Sequence, residues 1–306
     1  MKIALVPEGP LDAAATLARY RLWGEDPANR LVGDTLLRVR RFEGRLWPFA
    51  VRWRGAVDAV RLEVEIPGTR ASRIGEAVMA DVRRLFGLDF DLAGFYRMAK
   101  GDQALGSLVE PLYGLRPSVT PGGLEMAVGA IIAQQVNLTF AFALRARLVR
   151  RYGEAVEIGG ESVYAFPEAS ALARSRPSAL RAMQFSTRKA EYIRDLSRAV
   201  TSGGLDLDGL AQTPSEAIIQ LLTAQRGLGR WTADWFLARG LGRGDVCPAG
   251  DLAVRKAFDR YYGRGSPLSE LAIRRRASAW GMHQTVAVHY LLAGLRLGDA
   301  RQGGGT

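Results

Sequence analysis

The sequence predicts an α+β protein, with a small antiparallel sheet near its start and a mostly α-helical remainder. Residues 35–55 and 56–68 alternate polar with apolar or β-branched side chains, a pattern typical of neighbouring strands. Residues 71–88 carry apolar side chains at helical spacing, which predicts a helix packed on one face of that sheet. From about residue 122 onward, the apolar spacing is helical almost without a break. These patterns favour a sheet-and-helix domain followed by a larger helical one.

Several signals place individual helices in the second part. The segment TPSE at 213–216 matches a capping box with proline at the first helical position, and SP at 266–267 predicts another helix start of the same kind. The apolar run at 126–144 includes two glutamines and an asparagine, and we interpret it as one buried helix.

The chain also shows where its domains divide. RPSVTPGG at 116–123 holds two prolines and two glycines and is the expected linker. We therefore expect a domain of antiparallel sheet plus helices over residues 1–112, a helical domain over 113–300 and a disordered tail over 301–306.

The composition favours a polyanionic partner but leaves it open. The net charge is +11 and the isoelectric point is about 10.3, a balance that favours nucleic acid. Only four of the 42 basic residues are lysine, however, and such an arginine excess can instead reflect GC-rich coding.

Cysteine and histidine usage limits the metal chemistry. Cys247 is the only cysteine and two histidines are present, which excludes an internal disulfide framework and a four-cysteine cluster and predicts no metal site. The expected compartment is a reducing cytoplasm, that of a bacterium with its nucleoid. The sequence has no run of about 18 uncharged apolar residues, so we expect no membrane partner.

Residues 227–251, GLGRWTADWFLARGLGRGDVCPAGD, combine a tight turn, two indoles and a carboxylate. A Gly-Leu-Gly turn before a helix suits a phosphate, although a plain helix–helix turn is the alternative. Asp251 precedes an apolar-periodic segment, which predicts a helix N-cap and does not exclude catalysis. Trp231 and Trp235 share a helix face, where they either belong to the core or stack on a flat and preferably cationic ligand.

These motifs in this order resemble the signature of the helix-hairpin-helix DNA glycosylase superfamily, and within it the DNA-3-methyladenine glycosylase II type. The resemblance rests on GLGRWTA at 227–233, CPAGD at 247–251 and LAVRKAF at 252–258, and it extends over most of residues 122–297. The family's fold is a mostly α-helical core with a helix-hairpin-helix motif and a small N-terminal antiparallel sheet domain, which agrees with the fold class predicted above.

The resemblance implies roles for individual residues. Asp251 would be the carboxylate that stabilises positive charge on the sugar as a flipped-out base leaves, and that helps to orient or deprotonate the attacking water. Trp231 and Trp235 match pocket aromatics that stack on the base. Gln135 matches the residue inserted into the gap left by the flipped base, with a polar helix-end residue as the alternative. The residues of the hairpin expected to bind DNA phosphates are Arg226, Gly227, Leu228, Gly229, Arg230 and Thr232.

Two pocket positions are less well defined by the resemblance. The family commonly has a Pro-Trp-Arg segment where this chain has Met282-His283-Gln284. His283 therefore either replaces a pocket tryptophan or is a partly exposed helix residue, whereas His289 is expected to be structural. The N-terminal domain should supply one more aromatic, for which Tyr20 and Trp23 are the candidates.

The activity implied is that of a monofunctional glycosylase of base excision repair, which hydrolyses the N-glycosidic bond of alkylated purines, 3-methyladenine and 7-methylguanine, and leaves an abasic site. Bifunctional relatives place a lysine just after the hairpin, where this chain has Trp231. The resemblance implies no cofactor, allows a monovalent cation at the hairpin, and indicates a monomer acting on double-stranded DNA with a damaged base.

Two alternatives stay open. The first is a glycosylase for another lesion, such as hypoxanthine or uracil, because His283 changes the expected pocket. The second is a non-catalytic protein that binds damaged DNA. Asp251 argues against the second, since a pure binder has no need of a carboxylate near the phosphates.

Overall fold

The structure, a computed structural model, describes residues 1–263 and 265–303. Its N-terminal part is built on five antiparallel strands: β1 (Lys2–Leu5), β2 (Arg30–Val32), β3 (Thr35–Phe42), β4 (Arg45–Arg54) and β5 (Arg61–Glu65). They lie in the order β1-β5-β4-β3-β2. The antiparallel sheet predicted from the alternation is confirmed.

A two-residue turn joins the two longest strands. Phe42 pairs with Arg45, and the residues between them, Glu43 and Gly44, have φ of 49° and 71°. Positive φ at both positions is the geometry whose twist matches a hairpin. The inner face of the sheet carries fully buried side chains such as Phe49 and Leu62, and these pack against the predicted helix, which spans Ser72–Leu85.

Helices make up most of the remainder. In chain order they are α1 (Ala13–Leu17), α2 (Arg19–Leu22), α3 (Ser72–Leu85), α4 (Leu92–Ala99), α5 (Gln103–Val109), α6 (Gly123–Ala133), α7 (Leu138–Tyr152), α8 (Ala169–Ala173), α9 (Pro177–Ala182), α10 (Thr187–Thr201), α11 (Ser215–Thr223), α12 (Arg230–Trp235), α13 (Leu252–Tyr262), α14 (Glu270–Ser278) and α15 (Gln284–Gly303). A π-helical turn, Phe236–Gly240, continues α12. Two further strands, β6 (Ala155–Ile158) and β7 (Glu161–Tyr164), form a hairpin after α7.

Two apolar cores hold the helices. The first is formed mainly by α6, α7, α10, α11 and α12. The second brings α4 and α5 together with α13, α14 and α15. Trp235 packs against both cores, so α12 lies at their junction. Helices α4 and α5 precede the predicted domain boundary at residue 112, yet they pack on the C-terminal helices. The boundary itself stays a prediction.

Several local predictions are wrong. The run at 126–144 is two helices, because Gln135 has φ of 55° and Asn137 caps α7 by accepting from the Phe140 N–H at 2.8 Å. In the segment 213–216, Pro214 takes the cap position of α11 and no side chain caps the helix, while the Thr213 carbonyl accepts from Arg243.

Other predictions differ in detail. The helix expected from residue 266 begins at Glu270, with Ser269 as its cap, because the Leu268 N–H is bound to Asp259 at 2.7 Å. The linker at 116–123 is largely buried, and Arg116 donates to four backbone carbonyls outside it, those of Glu8, Pro10, Gly87 and Phe90. Of the predicted tail, residues 301–303 belong to the span of α15 and residues 304–306 lie outside the described residues.

A buried charge network joins the sheet to the helical part. Glu125 of α6 accepts from Arg38 of β3 and from Arg145 of α7, each at 2.6 Å. Arg145 also donates to Asp26 at 2.9 Å. These contacts hold α6 and α7 against the sheet, on the side where the candidate site lies.

Candidate active site

A cleft of about 1040 Å³ opens between the N-terminal helices and the two helical cores. It contains polar and aromatic groups from segments far apart in sequence. The sequence-predicted residues that the structure brings together along its wall are Tyr20, Trp23, Gln135, Gly229, Trp231, Thr232, Trp235 and Asp251.

Asp251 is held by four N–H groups. Its Oδ1 accepts from the backbone N–H groups of Ala253 and Val254, at 2.8 and 3.1 Å, and so caps α13. Its Oδ2 accepts from the indole Nε1 of Trp231 at 2.7 Å and of Trp235 at 3.1 Å. The N-cap role and a position in the cleft are therefore both present in one side chain.

The two indoles reach the carboxylate because of their spacing. Trp231 and Trp235 lie one turn apart on α12, so their Nε1 atoms converge on the same oxygen. Both side chains are half-buried and line the cleft, with Trp235 anchored between the two cores. Each indole thus combines a structural contact with a surface that faces the cleft.

The Gly-Leu-Gly hairpin precedes α12 at the cleft edge. Gly227 has φ of 88°, and a Cβ there would meet the Tyr192 ring at 2.3 Å. Gly229 occupies the cap position of α12 and is exposed, with open space where a Cβ would point. The turn therefore depends on glycine at its first position, and it presents the start of α12 to solvent at its second.

The other predicted hairpin residues divide into two groups. Arg226 and Arg230 are at least half exposed, although each is paired: Arg226 with Glu191 at 2.7 Å, and Arg230 with Asp234 at 2.8 Å. Leu228 and Thr232 have inward side chains, 4% and 1% exposed. Leu228 belongs to the first core and Thr232 lies 3.5 Å from the Gln134 amide, so a phosphate at these two positions would meet backbone rather than side chains, and their contact with DNA stays a prediction.

Gln135 lies in the turn between α6 and α7, exposed at the cleft edge. Its neighbours fix this turn. Gln134 Nε2 donates to the Gly227 carbonyl at 2.8 Å, and Lys189 Nζ donates to the Ile132 carbonyl at 2.7 Å. The turn that carries the exposed Gln135 amide is therefore hydrogen-bonded to the hairpin through Gln134.

The structure corrects the assignment of the histidines. His283 lies in a short 3₁₀ turn beside Phe95, with ring centroids 6.5 Å apart, and it does not line the cleft. The adjacent Trp280 is buried in the second core, where its indole N–H is 3.3 Å from Asp102. His289, which was expected to be only structural, does line the cleft.

Sequence reasoning missed the basic residues of the cleft. Arg19, Arg239, Arg296 and Lys256 all line it. Their signal in the sequence is weak, because they come from three separate helices and a π-helical turn, and arginine is abundant throughout the chain. Only the fold brings them together.

The inner end of the cleft is strongly electropositive. Burial, reinforced by Arg19 and Arg296, lowers the pKa of Arg239 to about 9. Burial and the same arginines hold the pKa of His289 well below its usual value, so this imidazole is neutral at pH 7. Its Nδ1 is 2.9 Å from Arg239 Nη2, which makes it an acceptor for that guanidinium.

The described part of the chain offers neither a metal-binding cluster nor a membrane-spanning helix. Over residues 1–263 and 265–303, no group of three or more His, Cys, Asp or Glu side chains is arranged to hold a metal ion. Within the same part of the chain, no helix has both the length and the apolar character needed to cross a bilayer.

Comparisons of the sequence with known proteins show which family shares these motifs. The model of the HhH-GPD superfamily, base excision DNA repair proteins, matches residues 128–281, which include Gln135, the hairpin and Asp251. The "DNA-3-methyladenine glycosylase" of Bacillus subtilis is 29% identical over 71% of each chain. "DNA-3-methyladenine glycosylase 2" of Escherichia coli is 30% identical over 66% of this chain and 67% of its own.

A solved structure extends the likeness to the N-terminal sheet. The 3-methyladenine DNA-glycosylase from Archaeoglobus fulgidus matches with a TM-score of 0.86 and 26% identity, over 96% of this chain and 98% of that one. The predicted fold class, a helical core with a small antiparallel N-terminal sheet, is thereby confirmed. From its motifs, its fold and the family match, the chain belongs to the HhH-GPD superfamily of base excision DNA repair proteins.

Proposed function

We propose that this protein is a monofunctional DNA glycosylase that hydrolyses the N-glycosidic bond of flipped-out alkylated purines, 3-methyladenine and 7-methylguanine, and leaves an abasic site. The observation that carries the proposal is the Asp251 carboxylate, held by two indole N–H groups in a cleft that the hairpin and Gln135 border. The names of the relatives, which are 3-methyladenine glycosylases, support the same substrate class.

Asp251 acts mainly by stabilising charge. When the glycosidic bond breaks, its electron pair leaves with the base and positive charge develops on the sugar, which a fixed carboxylate stabilises. A carboxylate has about four lone-pair sites for hydrogen bonds. In the free protein, the four N–H donors at Asp251 occupy all of them. Electrostatic stabilisation needs none of these donors to leave, whereas accepting a proton from water would displace one.

The cleft aromatics and Gln135 serve base flipping. Trp231 offers an aromatic surface next to the carboxylate, on which an extruded base stacks. The N-terminal part supplies two aromatics to the cleft wall: Tyr20, which is buried with its hydroxyl 3.4 Å from Ser118, and Trp23. Gln135 fills the gap in the duplex and hydrogen-bonds to the base left without a partner.

The hairpin holds the DNA backbone. The exposed Gly229 and the N-terminal end of α12 provide a close approach for one phosphate, and Arg226 and Arg230 supply donors beside it. Both arginines must partly exchange their acidic partners for phosphate. The partner is double-stranded DNA with a damaged base, and the protein acts on it as a monomer in the bacterial cytoplasm.

The reaction uses no lysine nucleophile and no cofactor. Trp231 stands where bifunctional relatives have lysine, and an indole cannot form a Schiff base. Lys256 is the one lysine of the four that lines the cleft, on α13 beyond the Asp251 cap, and we assign it to DNA backbone contact. A monovalent cation at the hairpin stays a prediction, and no step above depends on it.

Base release from methylated duplex DNA tests the proposal. The wild-type protein is expected to release 3-methyladenine and 7-methylguanine, identified by chromatography of the free bases, and to leave strands that break only after alkaline treatment. Release of no base, from this DNA or from DNA with deaminated bases, would support the non-catalytic binder instead.

A further inference from the structure

The turn that carries Gln135 has an unfavourable backbone conformation. Gln135 has φ of 55°, in the left-handed region that residues with a Cβ rarely adopt, and its side chain is exposed at the cleft edge. Such a conformation persists only where the surrounding contacts hold it, and it is frequent at functional sites. The contacts that hold this turn therefore bear on its proposed role in DNA.

A buried lysine caps the helix that leads into this turn. Lys189 of α10 is 9% exposed, and its Nζ donates to the Ile132 carbonyl at 2.7 Å. Ile132 lies in the last turn of α6, just before Gln135, where carbonyl groups have no partner within the helix and the helix dipole attracts a cation. The ammonium therefore fixes the end of α6 at the point where the chain changes direction.

The position is unfavourable for a charged group. Burial lowers the pKa of Lys189, and among the described residues no carboxylate offsets that shift. Removing an ammonium from water is costly unless an opposite charge compensates it, and here the acceptor is a neutral carbonyl. An apolar side chain of similar length would avoid this cost. A lysine at this place therefore suits a geometric role better than a stabilising one.

The helix that carries Lys189 also contacts the hairpin. Lys189 and Tyr192 lie three residues apart on α10 and share a face. The Tyr192 ring packs directly on Gly227, where a Cβ would come within 2.3 Å of it. The Gly227 carbonyl accepts in turn from Gln134 Nε2, at 2.8 Å. One face of α10 thus supports both segments proposed to touch DNA, the hairpin and the turn with Gln135.

We propose that Lys189 is a positioning residue for Gln135: it holds the turn in its left-handed form and in register with the hairpin, so that the amide enters the duplex without first being ordered. The inference rests on the glycosylase function proposed above. Ordering a segment at the moment of binding costs free energy, and a segment held in place beforehand avoids that cost. Lys189 does not line the cleft, so it acts through Gln135 and touches neither DNA nor the reacting atoms.

A double-mutant cycle tests this role. The variants are Lys189→Met, Gln135→Ala and the two combined, and the readout is the single-turnover rate constant of 3-methyladenine release from methylated duplex and methylated single-stranded DNA. We expect Lys189→Met to slow release from the duplex by about tenfold and to change release from single strands much less. It should have no further effect when Gln135 is already alanine. A lower folded fraction would reduce the amplitude and not the rate constant.

Two further variants separate positioning from folding. Lys189→Gln keeps a neutral donor on a shorter side chain, and it should slow duplex release selectively even if Lys189→Met is unstable. Arg198→Met is the matched control, because Arg198 is exposed on the same helix about two and a half turns further along, on the opposite face. It should leave both rate constants unchanged.

Three outcomes would overturn the inference and leave the proposed function intact. They are wild-type rate constants in the folded Lys189 variants, equal slowing on duplex and single-stranded DNA, and additive losses in the combined variant. Release of no base by the wild-type protein would overturn both.

Discussion

Asp251 serves two parts of the molecule with one carboxylate. One oxygen caps α13, while the other receives the indole N–H groups of Trp231 and Trp235. Its position in the cleft is therefore set before DNA binds. Stabilisation of a developing charge is most effective when the stabilising group needs no reorganisation, so the indoles act as positioning residues for the carboxylate.

Replacing Gln135 tests the proposed insertion into DNA. The side chain lies exposed in a fixed turn, so Gln135→Ala should leave the fold unchanged. Unstacking a base costs a few kcal/mol, and the wedge offsets part of this. We expect base release from duplex DNA to fall by about tenfold, and release from single-stranded DNA to change much less. Gln220→Ala, at an exposed position of α11, is the control. Equal loss on both substrates would contradict the wedge role.

The absence of a lysine nucleophile predicts the outcome of a trapping experiment. Incubation with a damaged duplex and borohydride should give no covalent protein–DNA complex, since Trp231 cannot form a Schiff base. The strand should stay uncut at the abasic site. A trapped complex that disappears in Lys256→Ala would show instead that the lysine at the cleft wall supplies lyase activity.

The reacting residues were more predictable from sequence than the pocket around them. Asp251, the two tryptophans and Gln135 belong to contiguous motifs, and the structure brings all four to one cleft. For His283 the sequence left two alternatives, a replacement for a pocket tryptophan and a partly exposed residue. The structure favours the second, since His283 lies beside Phe95 and is partly exposed. The basic cluster could not be inferred, because no spacing rule relates Arg19 to residues more than 200 positions away.

The hairpin provides a matched pair of glycines for a test of stability. Gly227 has a left-handed φ, which costs an alanine about 1–2 kcal/mol, and its Cβ would also overlap the Tyr192 ring. Gly227→Ala should therefore lower the free energy of unfolding by at least that amount in urea denaturation. Gly229→Ala, with a negative φ and open space, should cost only about 0.5 kcal/mol or less. Equal effects of the two substitutions would contradict this role of the turn.

Helices and strands with long periodic patterns were predicted correctly. The predictions were wrong where a single cap or turn residue sets the limits of an element. The sheet and α3 have sustained patterns and are confirmed. The hairpin of β6 and β7 was missed although its Gly159-Gly160 turn, with φ of 59° and 82°, is a strong hairpin signal. The break between α6 and α7 was missed because Asn137 was interpreted as an interruption of one helix, whereas it caps the next.

The buried charge network between the sheet and the helices predicts how the free energy of unfolding depends on pH. Burial alone would raise the pKa of Glu125, but the guanidinium groups of Arg38 and Arg145 lower it to about 2 from its usual 4.5. Glu125 therefore contributes stability above pH 4.5 and loses it as the pH falls toward 2, by about 3 kcal/mol in all. Urea denaturation of Glu125→Gln should show a loss of similar size at pH 7 and a weaker dependence on acid.

An exposed glutamate supplies the control for that experiment. Glu63 lies on the sheet 3.6 Å from Arg54, with both side chains about half exposed or more. Glu63→Gln should change the free energy of unfolding by less than about 1 kcal/mol at either pH. A wild-type-like pH profile for Glu125→Gln would contradict the structural role of the buried network.

The arrangement of the whole molecule was only partly contained in the sequence. Composition and motifs predicted two structural classes along the chain, but not that α4 and α5 would pack with the C-terminal helices. Nor did they predict that a cleft would form where two helical cores meet at Trp235. Such long-range packing depends on three-dimensional fit rather than on local pattern, so it lies beyond periodicity and capping rules.

One experiment addresses the function proposed for this cleft: single-turnover base release from methylated duplex DNA, measured beside DNA affinity, for wild type, Asp251→Asn and the exposed control Asp245→Asn. An amide keeps the shape and the cap of α13, but it removes the charge that stabilises the sugar cation and the oxygen that accepts from the two indoles. We expect Asp251→Asn to lower release by at least about 100-fold, with unchanged affinity and a wild-type-like control. Full activity of Asp251→Asn, or a parallel loss of affinity and release, would contradict a catalytic role for this carboxylate.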